Sequence, residues 1–220
     1  MPTRLVLAAL IATVTTSLPS AQTRPGPDAL ARSLQQEYNR VRDLRASFVQ
    51  TARGGVLSVR SRGEGTVVVK KPGRMRWDYS KPEKQSIISD GTRLIRYYPD
   101  TKEVDIVDIP PGDQAPTAML FLAGKGDVLR DFRVSNVDSP ITGTLALRLD
   151  PRRPDPDYEH LIVAFHPTTL QIRGLLTHDR QGGDTTTELS GIQENTGVND
   201  KTFAFTPPRG ADVRHAGNPR

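Results

Sequence analysis

Two stretches of the 220-residue sequence hold residue types used by metal and phosphate sites. In the acidic segment "DPRRPDPDYEH" (150–160) the carboxylates could bind calcium. A calcium loop alternates its ligands around a central glycine, whereas this segment has three prolines, which favours a solvated turn. The other stretch is "GKGD" (124–127), where Lys125 is not followed by Ser or Thr. It therefore does not match a phosphate-binding loop.

The four histidines are the remaining candidates for chemistry: His160, His166, His178 and His215. They lack the i, i+4 spacing of a helical metal site, and the chain has no cysteine to complete one. No G-x-S-x-G motif occurs, and Ser, His and Asp follow no order typical of a hydrolase. The sequence therefore predicts no catalytic centre, no metal and no cofactor, and it favours binding over catalysis.

The N-terminus has the layout of a secretory signal peptide. Arg4 precedes the apolar run Leu5–Val14, and small residues follow as far as Ala21. The run is shorter than the ~20 residues that span a bilayer, and a buried N-terminal helix is the alternative interpretation. We expect cleavage near Ala21 and export of residues 22–220 as a single domain. Without cysteine, that domain has no acceptor for an N-terminal lipid.

The charge pattern argues against nucleic acid as a partner. Lysine and arginine number 30 and aspartate and glutamate 25, and loss of Arg4 with the signal peptide leaves a formal charge near +4. The basic residues are spread along the chain with acidic neighbours, whereas a nucleic-acid binder groups them on one patch or arm.

A helix is predicted at the start of the domain, with Asp28 as its N-cap. Apolar residues recur there at spacings of three and four, which is the pattern of one buried helix face. This stripe consists of Leu30, Leu34, Tyr38, Val41 and Leu44.

From residue 46 the apolar period changes to two, which predicts β-strands. Met75, Trp77 and Tyr79 alternate with charged residues, and Leu145, Leu147 and Leu149 likewise share one face. Turns of hairpin size, such as Asp90-Gly91, separate most of the strands. About eleven short strands are predicted, at 47–53, 56–70, 74–79, 85–89, 93–98, 103–109, 132–138, 145–149, 161–165, 170–177 and 185–193. They indicate one antiparallel meander.

One apolar segment interrupts the strands. Residues 118–122 (AMLFL) follow Pro116 and end before Gly124, which predicts a short helix that is apolar on all sides. Two interpretations stay open: a buried plug at one end of a barrel, or a helix that covers an apolar opening.

Several short motifs follow one another along the chain: "ASFVQ" (46–50), "GEG" (63–65), "KP" (71–72), "RWDY" (76–79), "SDG" (89–91), "YYP" (97–99) and "FAFTPPRGADV" (203–213). Their order resembles that of the LolA family of periplasmic lipoprotein carriers. No single motif decides the match, but the ordered set spans nearly all of the mature chain.

The resemblance implies an incomplete, strongly curved antiparallel barrel of about eleven strands, with helices as a lid over its apolar concavity. The cavity for acyl chains would be lined by Met75, Trp77, Tyr79, Ile88, Leu145 and Leu147. The lid would be formed by Leu30, Leu34, Met119, Leu120, Phe121 and Leu122. The family often has Arg where this chain has Lys71, and Lys71 would hold the lid through carbonyls of the 110–122 segment. An ammonium cannot form the forked pair of bonds that a guanidinium forms.

The function implied is that of a soluble, monomeric, periplasmic and non-enzymatic carrier that moves acylated lipoproteins from the inner to the outer membrane. Its partners would be an inner-membrane lipoprotein-releasing transporter and, as a further candidate, an outer-membrane lipoprotein receptor. The alternative on the same half-barrel is an exported sensor, or a carrier of another lipid or glycolipid.

Overall fold

The computed structural model describes residues 25–54, 60–109, 122–124 and 126–216. Within these residues the chain forms two α-helices, one short 3-10 helix and twelve strands. The helices are α1 (Pro27–Arg40), α2 (Val128–Asp131) and the 3-10 helix Asp200–Phe203. The strands of the N-terminal half are β1 (Asp43–Gly54), β2 (Ser61–Lys70), β3 (Arg74–Lys81), β4 (Gln85–Asp90), β5 (Arg93–Tyr98) and β6 (Glu103–Asp108). The others are β7 (Phe132–Val137), β8 (Leu145–Pro151), β9 (His160–Phe165), β10 (Ile172–His178), β11 (Gly183–Glu194) and β12 (Asp212–Ala216).

All twelve strands belong to one open sheet. Their order is β12-β6-β5-β4-β3-β2-β1-β11-β10-β9-β8-β7, so two consecutive meanders join where β1 pairs with β11. Every pairing is antiparallel except that of β12 with β6. The predicted fold class, a single curved antiparallel sheet with few helices, is therefore confirmed. The additional strand is β12, whose sequence DVRHA lacks the apolar alternation that predicts a strand.

The main core lies on the concave face of this sheet, under α1. It combines side chains from both meanders, including Phe48 of β1, Trp77 of β3 and Leu147 of β8. Because these strands are far apart in the sheet order, their side chains share one cluster only if the sheet curls around them. The concave face is thus the apolar interior of the molecule.

A second, smaller core lies on the convex face. Ile88 and Ile95 pack there with two residues of β6, and the C-terminal segment covers them through Phe205 and Ala211. The expectation that Ile88 lines the concavity is therefore wrong. Ile88 pairs with Arg76, whereas its neighbour Ile87 pairs with Trp77 and belongs to the concave core.

Helix α1 is shorter than its apolar stripe. It ends at Arg40, Val41 is its extended C-cap, and Leu44 already belongs to β1. All five stripe residues are nonetheless buried. The helix begins after Gly26, not Asp28, with Pro27 at its first position, where a missing backbone N–H costs nothing. Asp28 instead lies in the first turn, where its charge suits the helix dipole.

Asn195 and Asp43 fix the C-terminal end of α1 to the sheet. The Asn195 side chain accepts a hydrogen bond from Arg42 N at 2.8 Å and donates one to the Arg40 carbonyl at 3.3 Å. The buried Asp43 carboxylate accepts hydrogen bonds from the backbone N–H groups of Thr196 (2.8 Å) and Gly197 (3.2 Å). Burial alone would raise the pKa of Asp43, but these hydrogen bonds outweigh it and lower the pKa.

Candidate functional site

The centre of the concave face is an aromatic cluster on β1 and β3. The rings of Phe48 and Trp77 meet edge to face with centroids 4.9 Å apart, and Tyr79 contacts Phe48 from the other side at 4.8 Å. Met75 and Trp77 are buried, while Tyr79 is half-buried and donates its hydroxyl proton to Gln50 Oε1 at 3.1 Å. The period of two along β3 thus brings Met75, Trp77 and Tyr79 to the interior face, as the alternation predicted.

The opposite wall of the interior comes from β8 to β11. Leu147 is fully buried and Leu145 packs against the same core, so both lie on the concave face. Between the two walls, the described residues enclose an apolar cavity of about 10 Å³, roughly the space of one water molecule. Its lining consists of Tyr38, Leu44, Val67, Val69, Trp77, Leu122, Ile172 and Leu189. Around this cavity, side chains of the described residues fill the concave core.

The covering side chains come from α1 and from residue 122. Leu30 and Leu34 are buried in the concave core, with 6% and 1% of their surface exposed, and Leu122 is buried beside them. The other three predicted lid residues, Met119, Leu120 and Phe121, lie outside the described residues. Of the predicted lid residues, Leu30, Leu34 and Leu122 are thus buried in the concave core.

Lys71 lies at the rim of the sheet and contacts α1. Its Nζ donates a hydrogen bond to the Tyr38 carbonyl and sits 3.1 Å from the centroid of the Tyr38 ring. The stem passes over Gly124, where an added Cβ would lie 2.7 Å from Lys71 Cγ and Cδ. The expected partners were carbonyls of the 110–122 segment, and residues 110–121 are not described. The contact observed is instead with the last turn of α1, whose Tyr38 carbonyl also accepts a hydrogen bond from Val41 N at 3.2 Å.

Tyr38 connects α1 to the residues that follow the 110–121 segment. Its hydroxyl donates to the Leu122 carbonyl, and the neighbouring Ala123 carbonyl accepts a hydrogen bond from Gly73 N at 2.8 Å. Burial raises the pKa of the Tyr38 phenol, which therefore remains a proton donor. Two hydrogen bonds that share Tyr38 thus connect Lys71 to Tyr38 and Tyr38 to Leu122.

The charge of Lys71 is costly at this position. Burial lowers its pKa from 10.5 to about 8, and the nearby Glu194 carboxylate opposes this shift only in part. The folded protein therefore releases this proton at a lower pH than the unfolded chain does. A neutral amine still donates a hydrogen bond to the Tyr38 carbonyl.

We expect the free energy of unfolding of the wild-type protein to increase as the pH rises from about 8 to 9.5. In that range the unfolded chain holds the Lys71 proton while the folded protein loses it, so the free energy of unfolding increases. The slope should stay below the one-proton limit of about 1.4 kcal/mol per pH unit, because part of the side chain is exposed. Urea unfolding at several pH values measures it. In Lys71→Arg, whose guanidinium does not titrate, this contribution should be absent; equal slopes in both proteins would contradict the assignment.

A groove of about 210 Å³ opens to solvent beside the end of α1. It shares Tyr38, Leu44 and Ile172 with the inner cavity, so a single layer of side chains separates the interior from solvent there. Glu37, Arg173 and Glu194 lie at its polar rim.

The roles of Tyr38 and Asn195 were not predicted from the sequence. Tyr38 was recognised as a core residue of the stripe, but its hydroxyl bond to residue 122 spans 84 positions and has no local signal. Asn195 adopts a positive φ of 57°, which asparagine tolerates better than most residues.

The described residues hold no arrangement suited to metal chemistry. The rings of His160 and His178 do stack, with centroids 4.7 Å apart, yet no group of three or more metal-binding side chains forms within the described ranges. No helix in that part of the chain is long and apolar enough to cross a bilayer.

Comparison with known proteins identifies similar sequences and a similar fold. Residues 39–206 match the family described as outer membrane lipoprotein carrier protein LolA. An outer-membrane lipoprotein carrier protein of Legionella pneumophila (strain Lens) is 31% identical over 185 residues, covering 83% of this chain and 88% of the relative. One from Nitrosospira multiformis is 29% identical over 184 residues, covering 82% and 86%. The crystal structure of an uncharacterized conserved protein from Thermus thermophilus is similar in fold alone, with a TM-score of 0.52, 12% identity, and coverage of 84% of this chain and 99% of that one.

Proposed function

The chain belongs to the LolA family of outer membrane lipoprotein carriers, and from this premise we propose that it shields the acyl chains of lipoproteins inside its concave face. The family consists of carriers and not of enzymes. The observation that supports the proposal most is the composition of the interior: the small cavity is surrounded by apolar and aromatic side chains from both halves of the sheet. Such a surface suits hydrocarbon.

The physical need for a carrier follows from the cost of exposing acyl chains to water. Each CH₂ group moved out of water gains ~0.8 kcal/mol, so a chain of a dozen or more carbons gains on the order of 10 kcal/mol. A lipoprotein with several such chains does not cross an aqueous compartment unaided at a useful rate. We propose that this compartment is the periplasm and that residues 1–21 are the signal peptide that directs the chain there.

The carrier can release its lipid only if the net free energy of binding is much smaller than the free energy of burying the acyl chains. Leu30, Leu34 and Leu122 are buried in the concave core. An incoming acyl chain displaces them, so burial of lipid is offset by exposure or relocation of the protein's own side chains. In this scheme α1 and Leu122 act as the lid, and Lys71 helps to hold it closed through Tyr38.

The direction of transfer is part of the proposal. We infer that the chain receives lipoproteins from an inner-membrane lipoprotein-releasing transporter and passes them to the outer membrane, where a lipoprotein receptor is the candidate acceptor. A net positive charge near +4 after removal of residues 1–21 is compatible with acidic partners or anionic headgroups.

The function can be tested with membranes that contain a tagged lipoprotein and its releasing transporter. Adding the purified mature chain should move the lipoprotein into the soluble fraction as a complex of the two proteins. A form of the lipoprotein without its acyl chains is the matched control and should form no complex. If mass spectrometry of the protein from its native host finds only glycolipid or phospholipid, and no lipoprotein is released, the cargo named here is wrong.

A further inference from the structure

The indole N–H of Trp77 has no hydrogen-bond partner among the described residues. Trp77 is only 1% exposed, and its ring lines the apolar cavity opposite Leu122. Buried N–H groups are satisfied in the great majority of cases, so a buried donor without an acceptor needs a reason. The neighbouring Tyr79 is half-buried, and its hydroxyl does have an acceptor, the side-chain oxygen of Gln50.

Packing alone does not explain why a donor is placed here. The surroundings of the Trp77 ring are Phe48, Met75, Val67 and other apolar side chains, and a phenylalanine would fill such a site without burying a polar atom. Leaving the N–H unpaired destabilises the empty protein. The cost disappears if the loaded state supplies an acceptor.

We infer that the Trp77 N–H is a hydrogen-bond donor to a carbonyl oxygen of the bound acyl group, an inference that rests on the proposed function. Acyl chains are attached through ester or amide groups. The carbonyl oxygen of each group accepts hydrogen bonds and carries no hydrogen to donate. When the cover moves and a chain enters, its carbonyl becomes the acceptor that Nε1 lacks among the described residues. Trp77 would then make the interior selective for acyl lipids over lipids that carry only hydrocarbon or ether groups.

This selectivity can be measured with two lipids that differ by one carbonyl. The probes are a 1-acylglycerol and a 1-alkylglycerol of equal chain length, each displacing an apolar fluorescent dye from the mature protein. One neutral hydrogen bond corresponds to a preference of roughly three- to tenfold, so the wild-type protein should bind the ester that much more tightly than the ether. Trp77→Phe keeps an aromatic ring and should bind both equally. The matched control, Phe48→Leu, alters the same cluster and should keep the preference for the ester.

A second measurement needs no variant. Trp77 is the chain's single tryptophan, so its indole N–H gives one assignable resonance in a ¹H–¹⁵N NMR spectrum. The ester should shift this resonance downfield, and the ether should shift it less. Equal affinities for the two lipids in the wild-type protein, or equal resonance shifts, would overturn the inference while leaving the carrier function intact. If neither lipid binds, the proposed acyl-binding interior is itself wrong, and the inference fails with it.

Discussion

Trp77→Glu should lose both acyl-lipid binding and most of its folding stability. The substitution removes the central ring of the concave core and places a carboxylate at a position that is 1% exposed. Burying an unpaired charge costs at least several kcal/mol, and loss of the ring adds about 3–5 kcal/mol. Domains of this size are stable by only about 5–15 kcal/mol, so little stability should remain. Urea unfolding and dye binding measure the two effects.

The matched control for this variant is Val107→Glu. Val107 is a large apolar residue that is 38% exposed, so the same new charge there stays in water. We expect a change within about 0.5 kcal/mol, as for ordinary surface substitutions. If Trp77→Glu folded normally and still released lipoprotein from membranes, the acyl chains would have to bind elsewhere than on the concave face.

Leu34→Ala should loosen the cover without destroying the sheet. Leu34 is 1% exposed and lies in the middle of α1, and removing such a side chain costs about 2–5 kcal/mol. Leu30, Ala31 and Tyr38 would then hold α1 with less apolar contact, together with the polar contacts at the end of the helix. Because each 1.4 kcal/mol changes an equilibrium tenfold, the affinity of the empty protein for an apolar dye should rise at least tenfold.

Circular dichroism distinguishes an opened cover from a collapsed protein. In Leu34→Ala the strand signal should persist at urea concentrations where dye binding has already increased. Ser33→Ala, one position away on the exposed side of α1, should leave both signals unchanged. If the variant lost its strands and its helix together, with no gain in dye binding before that, α1 would be an ordinary part of the core and not a movable lid.

The residues of the interior face on β3 can be assigned from the sequence alone. The alternation along β3 was sufficient to assign Met75, Trp77 and Tyr79 to one face, because successive strand residues point to opposite sides. The same reasoning assigned Leu145 and Leu147 in β8. Period-two patterning is a local property, so it can be derived without knowledge of the fold.

Ile88 shows where local pattern fails. Ile87 and Ile88 are adjacent and both are buried, because the concave core covers one face of β4 and the C-terminal segment covers the other. A strand buried on both faces has no alternation to assign its side chains. Only the register, with Ile87 beside Trp77, decides which isoleucine lies inside.

The end of α1 shows a related limit. Val41 and Leu44 continue the apolar spacing of the helix, yet the backbone becomes extended after Arg40. Both residues are buried in the extended conformation, and the helical pattern also predicts their burial, so hydrophobicity does not mark the boundary. The boundary is set by Asn195, which hydrogen-bonds the last turn from 155 positions away.

The sequence by itself determined the antiparallel pairing of consecutive strands, which it predicted as one meander where the structure has two, and the apolar face of β3. Each of these follows from neighbouring residues. The tertiary structure alone decided that Lys71 meets Tyr38, that Tyr38 meets Leu122, and that the Trp77 N–H is left without a partner among the described residues. These features depend on how the curled sheet brings distant segments together, and no local spacing in the sequence encodes such contacts.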